Sequence, residues 1–503
     1  MRNRTRFLVV AVALCLALSA FASLAQDAVN ADGLLVWHVV GGSDPAAFGA
    51  SSTGAVSLFN PDNTLTPLME IPPGTPTVVP CGENAQGGGL FFLYVGGDVG
   101  ALYRIQGRNA PEKVLDVPRL SCVGGDTFQV TASGNRFAFL DYAEVSTQGG
   151  YANGNLRIYD AAGAEPIYRE ESVTAFQLRE DGATFLQLFI DDRGTADEAA
   201  LINWSGQAAR EFATFRISDD ACGFTSGVIR ALADGRILTI IGESCRGAGT
   251  TWTMYLVTPG QAAVTVTREA IPGSYQPFAR SNIVWLAPDG TPIFSVPDGV
   301  TANTAGIVAV RLAEGATANL ITLVGRQAVL PALTPQANAL PRISLDGRYF
   351  AVVETSTSND NVLRVFDLNN IENPPFSLPA GSRGDTISAL NFHPNNQTLY
   401  AIYGGDRSAS NAIGEINLAS GGALNLVRGR FSNRVVVSQD GARLAAADWI
   451  ISDDSRDQPT LDLVLVDTVQ AIVTTILDGG TVNAEGRIDD ATRQFAQPLA
   501  WLP

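Results

Sequence analysis

Val228-Ile229-Arg230-Ala231-Leu232-Ala233-Asp234-Gly235-Arg236-Ile237-Leu238-Thr239-Ile240-Ile241 is a pair of apolar, β-branched runs hinged on Asp-Gly. Asp-Gly tolerates positive φ at both central positions of a tight hairpin turn, which most residues resist. The stretch therefore predicts two antiparallel strands, A and B. The same arrangement recurs at Asp32-Gly33, Gly134-Asn135, Asp181-Gly182, Asp289-Gly290, Asp346-Gly347, Asn395-Asn396 and Asp440-Gly441, with the cluster Gly87-Gly88-Gly89 filling the remaining gap. Successive intervals are about 45 to 57 residues, longer than most helical repeats and within the range of propeller blades.

Beyond each hairpin comes a third apolar run: Leu156-Arg157-Ile158-Tyr159-Asp160, Leu363-Arg364-Val365-Phe366-Asp367 and Leu461-Asp462-Leu463-Val464-Leu465-Val466-Asp467. These are rich in β-branched residues and end at turn-forming Asp, so they read as strands. A weaker fourth run, such as Ala263-Val264-Thr265-Val266-Thr267, completes the unit. Four short strands per period define a propeller blade. The fold expected is all-β, a single closed β-propeller of about eight to nine four-stranded blades. Strand A should begin near residues 78, 127, 174, 227, 282, 341, 387 and 434, and the unit lacking Asp-Gly could be irregular.

Leu-Ala-Pro-Asp-Gly at 286–290, Ile-Ser-Leu-Asp-Gly at 343–347 and Val-Ser-Gln-Asp-Gly at 437–441 resemble the WD40-like (PD40) repeats of TolB-type bacterial propellers. The resemblance spans nearly the whole chain and is strongest from Ser281 to Asp467. It implies the fold and says almost nothing about activity. TolB carries an additional N-terminal α/β domain for which this sequence has no room, so the likeness is to the repeats and not to TolB itself.

The two ends bear on closure. Gln497-Pro498-Leu499-Ala500-Trp501-Leu502-Pro503 matches a strand A, while Leu34-Leu35-Val36-Trp37-His38-Val39-Val40 matches a strand B after Asp32-Gly33. Sharing one sheet, they would close a ring and remove an exposed edge, with the last strand completing the first blade. Ahead of them, Arg2, Arg4 and Arg6 precede an apolar run from Phe7 to Phe21 and the small residues around Ala25. That is the pattern of a secretory signal over residues 1–25, leaving a propeller over 26–503. The run is shorter than a membrane span. A secreted, extracellular or periplasmic protein with no membrane insertion after cleavage is expected.

The formal charge of −17 falls further once the three signal arginines leave, and such an acidic surface repels phosphate backbones. Nucleic acid is excluded as a partner. Outside the signal lie Cys81, Cys122, Cys222 and Cys245, an even set that favours disulfides in an oxidising compartment. No CxxC pair suggests zinc. Four cysteines allow three pairings; Cys222 before one strand A and Cys245 at the end of the next strand B favour a bridge between them, leaving Cys81 with Cys122.

Loops after strand B share one rim with those before strand A. They are long at 41–54, 142–153, 191–198, 356–361, 405–411 and 452–460, as elaborated binding surfaces on rigid scaffolds are. Asp191, Asp192, Asp197 and Glu198 cluster in one; Asp453, Asp454 and Asp457 cluster in another. Oxygen-rich loops can hold calcium, although neither has EF-hand spacing. No other cofactor is indicated. His38 and His393 read as packing or turn residues, and two histidines cannot build a His-rich metal centre. No HExxH or GxSxG motif exists; Gly223-Phe224-Thr225-Ser226-Gly227 has Thr at its centre. The function expected is a non-catalytic binding or protein-interaction module of the cell envelope, with a protein or glycan partner on the loop-rich rim. The alternative is a lactonase-like or glycoside-cleaving hydrolase with carboxylates at the central channel.

Overall fold

The computed structural model describes residues 31–40, 53–72, 77–83, 90–96, 100–117, 120, 122, 127–141, 154–163, 165–191, 195–217, 222–232, 234–245, 249–271, 284–286, 292–297, 305–311, 319–322, 342–355, 361–370, 373–379, 385–405, 410–450, 460–480 and 494–502. The proposed signal segment, Asp192, Asp289-Gly290, Asp453, Asp454 and Asp457 lie outside them. The strands are β1 (Leu34–Val40), β2 (Thr53–Phe59), β3 (Leu65–Ile71), β4 (Thr77–Glu83), β5 (Leu90–Gly96), β6 (Ala101–Gln106), β7 (Glu112–Asp116), β8 (Phe128–Val130), β9 (Arg136–Asp141), β10 (Gly154–Asp160), β11 (Tyr168–Arg179) and β12 (Gly182–Ile190). Next come β13 (Ala196–Trp204), β14 (Ala209–Arg216), β15 (Cys222–Ala231), β16 (Ile237–Cys245), β17 (Gly249–Val257), β18 (Val264–Ile271), β19 (Val284–Leu286), β20 (Pro292–Pro297), β21 (Ala305–Arg311), β22 (Asn319–Thr322), β23 (Arg342–Ile343) and β24 (Tyr349–Thr355). The last are β25 (Asn361–Asp367), β26 (Phe376–Pro379), β27 (Thr386–Phe392), β28 (Thr398–Gly404), β29 (Asn411–Asn417), β30 (Gly422–Gly429), β31 (Phe431–Val437), β32 (Arg443–Ile450), β33 (Thr460–Asp467), β34 (Val473–Leu477) and β35 (Gln494–Trp501).

The fold is all-β and propeller-like. Seven four-stranded antiparallel sheets and one seven-stranded sheet follow one another along the chain. The first sheet is ordered β3-β2-β1-β35, so β35 pairs with β1, placing Trp501 opposite Leu34 and Ala500 opposite Leu35. The unit without Asp-Gly is regular: β4 to β7 make a complete sheet.

Two details differ from the sequence reading. First, the Asp-Gly turns do not place both central residues at positive φ. Around Asp234, Leu232 N–H donates to Arg236 O, Gly235 N–H donates to Leu232 O, and Gly235 alone takes φ 83°. This is the three-residue hairpin, in which one left-handed residue follows an ordinary turn. Second, Gly182 has no positive φ. It opens β12 opposite Arg179, and a Cβ there would fall 1.9 Å from Trp204 O. Glycine is needed here because two backbones touch.

The Ser-x-Asp-Gly form has its own logic. Ser344 Oγ donates to Asp346 Oδ1 at 2.6 Å and accepts the Tyr349 N–H at 2.9 Å. Ser438 does the same with Asp440 at 2.6 Å and Arg443 N–H at 3.0 Å. One hydroxyl thus fixes the turn's acid and its returning strand.

The seven-stranded sheet arises at β11, whose first half pairs with β10 and whose second half pairs with β12. Tyr168 to Arg179 contains no glycine, proline or asparagine to break the strand. The chain leaves one unit and enters the next without a loop.

First strands of neighbouring sheets touch one another: β35 meets β4, β4 meets β8, β8 meets β11, β11 meets β15, β23 meets β27, β27 meets β31 and β31 meets β35. Apart from β11, which pairs with β10 over its first half and with β12 over its second, these inner strands have a sheet partner on one side only, so the other edge carries orphan backbone groups. Side-chain amides answer them. Gln129 on β8 donates to Phe176 O at 2.9 Å and accepts from Leu178 N–H at 2.7 Å, both on β11. Gln177 on β11 accepts from Ala231 N–H on β15, and Asn391 on β27 donates to Val435 O on β31 at 3.0 Å. All three stand two residues before the residue that closes their hairpin (Thr131, Arg179 and His393).

Apolar faces pack between successive sheets. Leu35, Trp37, Leu93, Ala447, Leu461 and Leu499 form one buried cluster that joins the β31–β34 sheet, the β35–β1 sheet and the β4–β7 sheet. Phe92, Phe128, Phe137 and Tyr159 pack across the next boundary with ring centroids 4.9 to 6.1 Å apart, Phe92 tilted against Phe128 and Phe137, and Phe137 stacked with Phe128 and Tyr159. Burial of such rings dominates the stabilisation of a sheet-on-sheet core.

Candidate functional site: the two rims and the inner face

The hairpins joining A to B form one rim and the B-to-C connections form the opposite one. The hairpin rim is short and internally braced. Ser133 N–H and Oγ donate to Glu180 at 2.8 and 2.6 Å, Asp346 N–H donates to Asn396 Oδ1 at 3.3 Å, and His393 packs against Gly441 of the next hairpin. Each link joins one unit to its successor. His393 also accepts the Asn395 N–H through Nδ1, making it a turn residue. His38 lies on β1, shares a hydrogen bond with Ser57 at 2.8 Å, and is held below the usual histidine pKa by burial.

On the opposite side the longest connections by sequence, 41–52, 142–153 and 451–459, lie outside the described residues. Asparagines at the start of strand C clamp this side. Asn361 Nδ2 donates to Asp385 O at 2.6 Å, and Asn411 exchanges two hydrogen bonds, of 2.8 and 2.9 Å, with the Phe431 backbone. Asp141 is buried at the end of β9 and paired with Arg157 at 2.5 Å.

The described members of the first acidic loop have local partners. Asp191 Oδ1 accepts the Thr195 N–H at 2.8 Å, Asp197 O accepts the Ile217 N–H at 3.0 Å, and Glu198 pairs with Arg216 at 2.6 Å. Among the described residues no group of three His, Cys, Asp or Glu is placed to hold a metal. Below the second acidic loop, Asp448 on β32 stands directly opposite Asp462 on β33. Burial raises the pKa of both, and for Asp462 the charges of Asp478 and Asp448 add to it. Each has a backbone partner: Asp448 accepts the Arg430 N–H at 2.6 Å and Asp462 the Gly479 N–H at 2.7 Å. Sequence reading missed this pair, because only strand register shows that residues 14 apart face one another.

Cys81 is disulfide-bonded to Cys122 with Cα atoms 4.5 Å apart. Cys222 is also in a disulfide, and its register partner across β15 and β16 is Cys245.

The inner face carries two arginines that sequence reading did not single out. Arg342 on β23 has exposed surface, and desolvation by the surrounding protein pushes its pKa down. Arg434 on β31 is lowered in the same way, and its Nη1 is buried without a hydrogen-bond partner.

No family model and no curated protein matches the chain. Among solved structures it is similar to a prolyl endopeptidase at 15% identity and TM-score 0.45, covering 84% of this chain and 61% of that one. A second is prolyl oligopeptidase B from Galerina marginata, at 8% identity and TM-score 0.39, covering 84% and 62%. The chain spans about three fifths of the length of these structures. Neither likeness is close enough to carry catalytic residues or a substrate across. Among the described residues no helix is long and apolar enough to cross a membrane.

Proposed function

We propose that the chain is one closed β-propeller of nine blades, the seven-stranded sheet counting as two, and that it acts outside the cytoplasm as a non-catalytic binding scaffold. The β35–β1 pairing and the stepwise contacts of the inner strands support closure. Paired cysteines and the sequence of residues 1–25 support an oxidising compartment. The observation that carries the binding role is the contrast between rims. Short, cross-braced hairpins occupy one side, while on the other side three B-to-C connections (41–52, 142–153 and 451–459) span nine to twelve residues, and two of the shorter ones are clamped at their ends by Asn361 and Asn411. A rigid frame bearing long loops on one side is suited to hold a protein or glycan.

The hydrolase reading draws on one feature, the opposed Asp448 and Asp462. These carboxylates sit on the second and third strands of their sheet, Asp448 opposite Phe431 of the first strand, and each is already engaged by a backbone N–H. The binding role is the better supported.

The test is capture from the native envelope fraction with three proteins: wild type, a variant with 142–153 and 451–459 shortened to tight turns, and Leu345→Ser on the hairpin rim. A partner retained by wild type and Leu345→Ser but lost by the loop-shortened variant is expected. Turnover of lactone, glycoside or peptide substrates that vanishes in Asp448→Asn would reverse the assignment.

A further inference from the structure

Taking a guanidinium out of water without a counter-charge is among the costliest acts of folding, and buried charges are therefore paired or liganded. Arg434 departs from this rule. The side chain is half-buried, and its Nη1 is fully buried with no hydrogen-bond partner among the described residues, in a chain where 50 acidic residues outnumber 33 basic ones. The acids nearest in sequence are engaged elsewhere: Asp440 with Ser438 and Arg443, Asp448 with the Arg430 N–H. Two residues before Arg434, the Ser432 hydroxyl is also buried and unpartnered.

Both residues fall where β31 slips out of register. Phe431 pairs with Asp448 and Val435 with Ala446, so Ser432, Asn433 and Arg434 stand opposite Ala447 alone. Bulges of this kind re-aim side chains and gather beside functional sites. The bulge lies on an inner strand, and β31 touches the inner strands β27 and β35 on either side. Arg342, on the inner strand β23 that meets β27, makes no ion pair among the described residues.

We propose that Ser432 and Arg434 form an anion site at the bulge of β31, which takes a compact oxyanion, a carboxylate or a phosphate, through Nη1 and the serine hydroxyl. A guanidinium offers such oxygens charge and directed donors together. The site does not depend on the rim reading; a ligand here and a partner on the loops are separate properties.

Calorimetric titration and thermal midpoints of the full chain in sodium phosphate, sodium acetate and sodium chloride at matched ionic strength test it. A saturable rise in midpoint with phosphate or acetate, absent with chloride, is expected, and the better of the two identifies the source. Arg434→Met should weaken binding by about tenfold or more and be no less stable than wild type without the anion, since it removes a charge whose buried Nη1 is unpartnered. Arg434→Lys and Ser432→Ala should each weaken binding and serve as the comparison should the methionine variant not fold. Equal responses to all three salts, or full oxyanion binding by any of these variants, would overturn the site.

Discussion

Single residues set two kinds of tension in this protein. Asp448 and Asp462 are carboxyls whose folded pKa lies above the ordinary value. Such a group binds its proton more tightly when folded, so its contribution is fully present below the unfolded pKa and lost as pH rises through the folded one. Ionising both while they face each other is unfavourable, so their effect on stability worsens as pH rises through the raised pKa values. Asp462→Asn keeps an oxygen for the Gly479 N–H and removes the charge. It should raise stability at pH 7.5 by about 0.5 kcal/mol, after allowing for solvent screening, with no gain near pH 3; thermal melts across pH check this. Asp440 has the opposite sign, held low chiefly by the Ser438 hydroxyl, so its contribution fades as pH falls. Gly182 stores a steric constraint instead. Its Cβ position lies 1.9 Å from a main-chain oxygen, which cannot swing aside as a side chain would. Gly182→Ala should cost about 1–3 kcal/mol in urea unfolding, whereas a substitution limited by φ alone would be judged by the backbone angle.

Among elements, the inner strands depend on amides from their neighbours. Gln129 uses both its donor and its acceptor on β11, while Gln177 is bound through its acceptor to Ala231. Gln177→Leu should cost about 1 kcal/mol by leaving a half-buried N–H unpaired and should speed hydrogen exchange at the Ala231 amide. Gln129→Leu should cost more, and Gln129→Glu should rescue only the acceptor half. Equal losses for both leucine variants would mean that packing, not the amide, holds these strands. Strand runs such as Leu363–Asp367 and Leu461–Asp467 were legible because their periodicity is local. The fusion at β11 was not. The absence of a breaker between Tyr168 and Arg179 was visible, but which half pairs with which sheet depends on partners distant in sequence.

For the whole molecule, the junction of β35 with β1 is the point at which the first and last described strands depend on each other. Trp501 is buried there, donates from Nε1 to Asp32 O at 2.9 Å, and has Arg443 over its ring at 6.0 Å. Asp32 is in turn paired with Arg108 of the following sheet at 2.5 Å. Trp501→Ala should destabilise by about 3–5 kcal/mol. Its loss should be felt in both adjoining sheets, read as raised exchange in β1 and in β33. A change confined to β35 would show that the junction is a local docking and not a closure.

Local pattern along the chain was enough to read the all-β class, the repeat and its period, the hairpin positions, and the shared sheet of the first and last strands. Those properties are written in short-range alternation and turn chemistry, which need no knowledge of distant partners. Register and packing between sheets had to be seen before Asp448 was known to face Asp462, glutamines and asparagines to stitch one inner strand to the next, and the half-buried Arg434 to keep a buried Nη1 without a hydrogen-bond partner among the described residues. These depend on register and on the meeting of separate sheets, where desolvation and unmade hydrogen bonds are settled among residues that the chain order keeps apart.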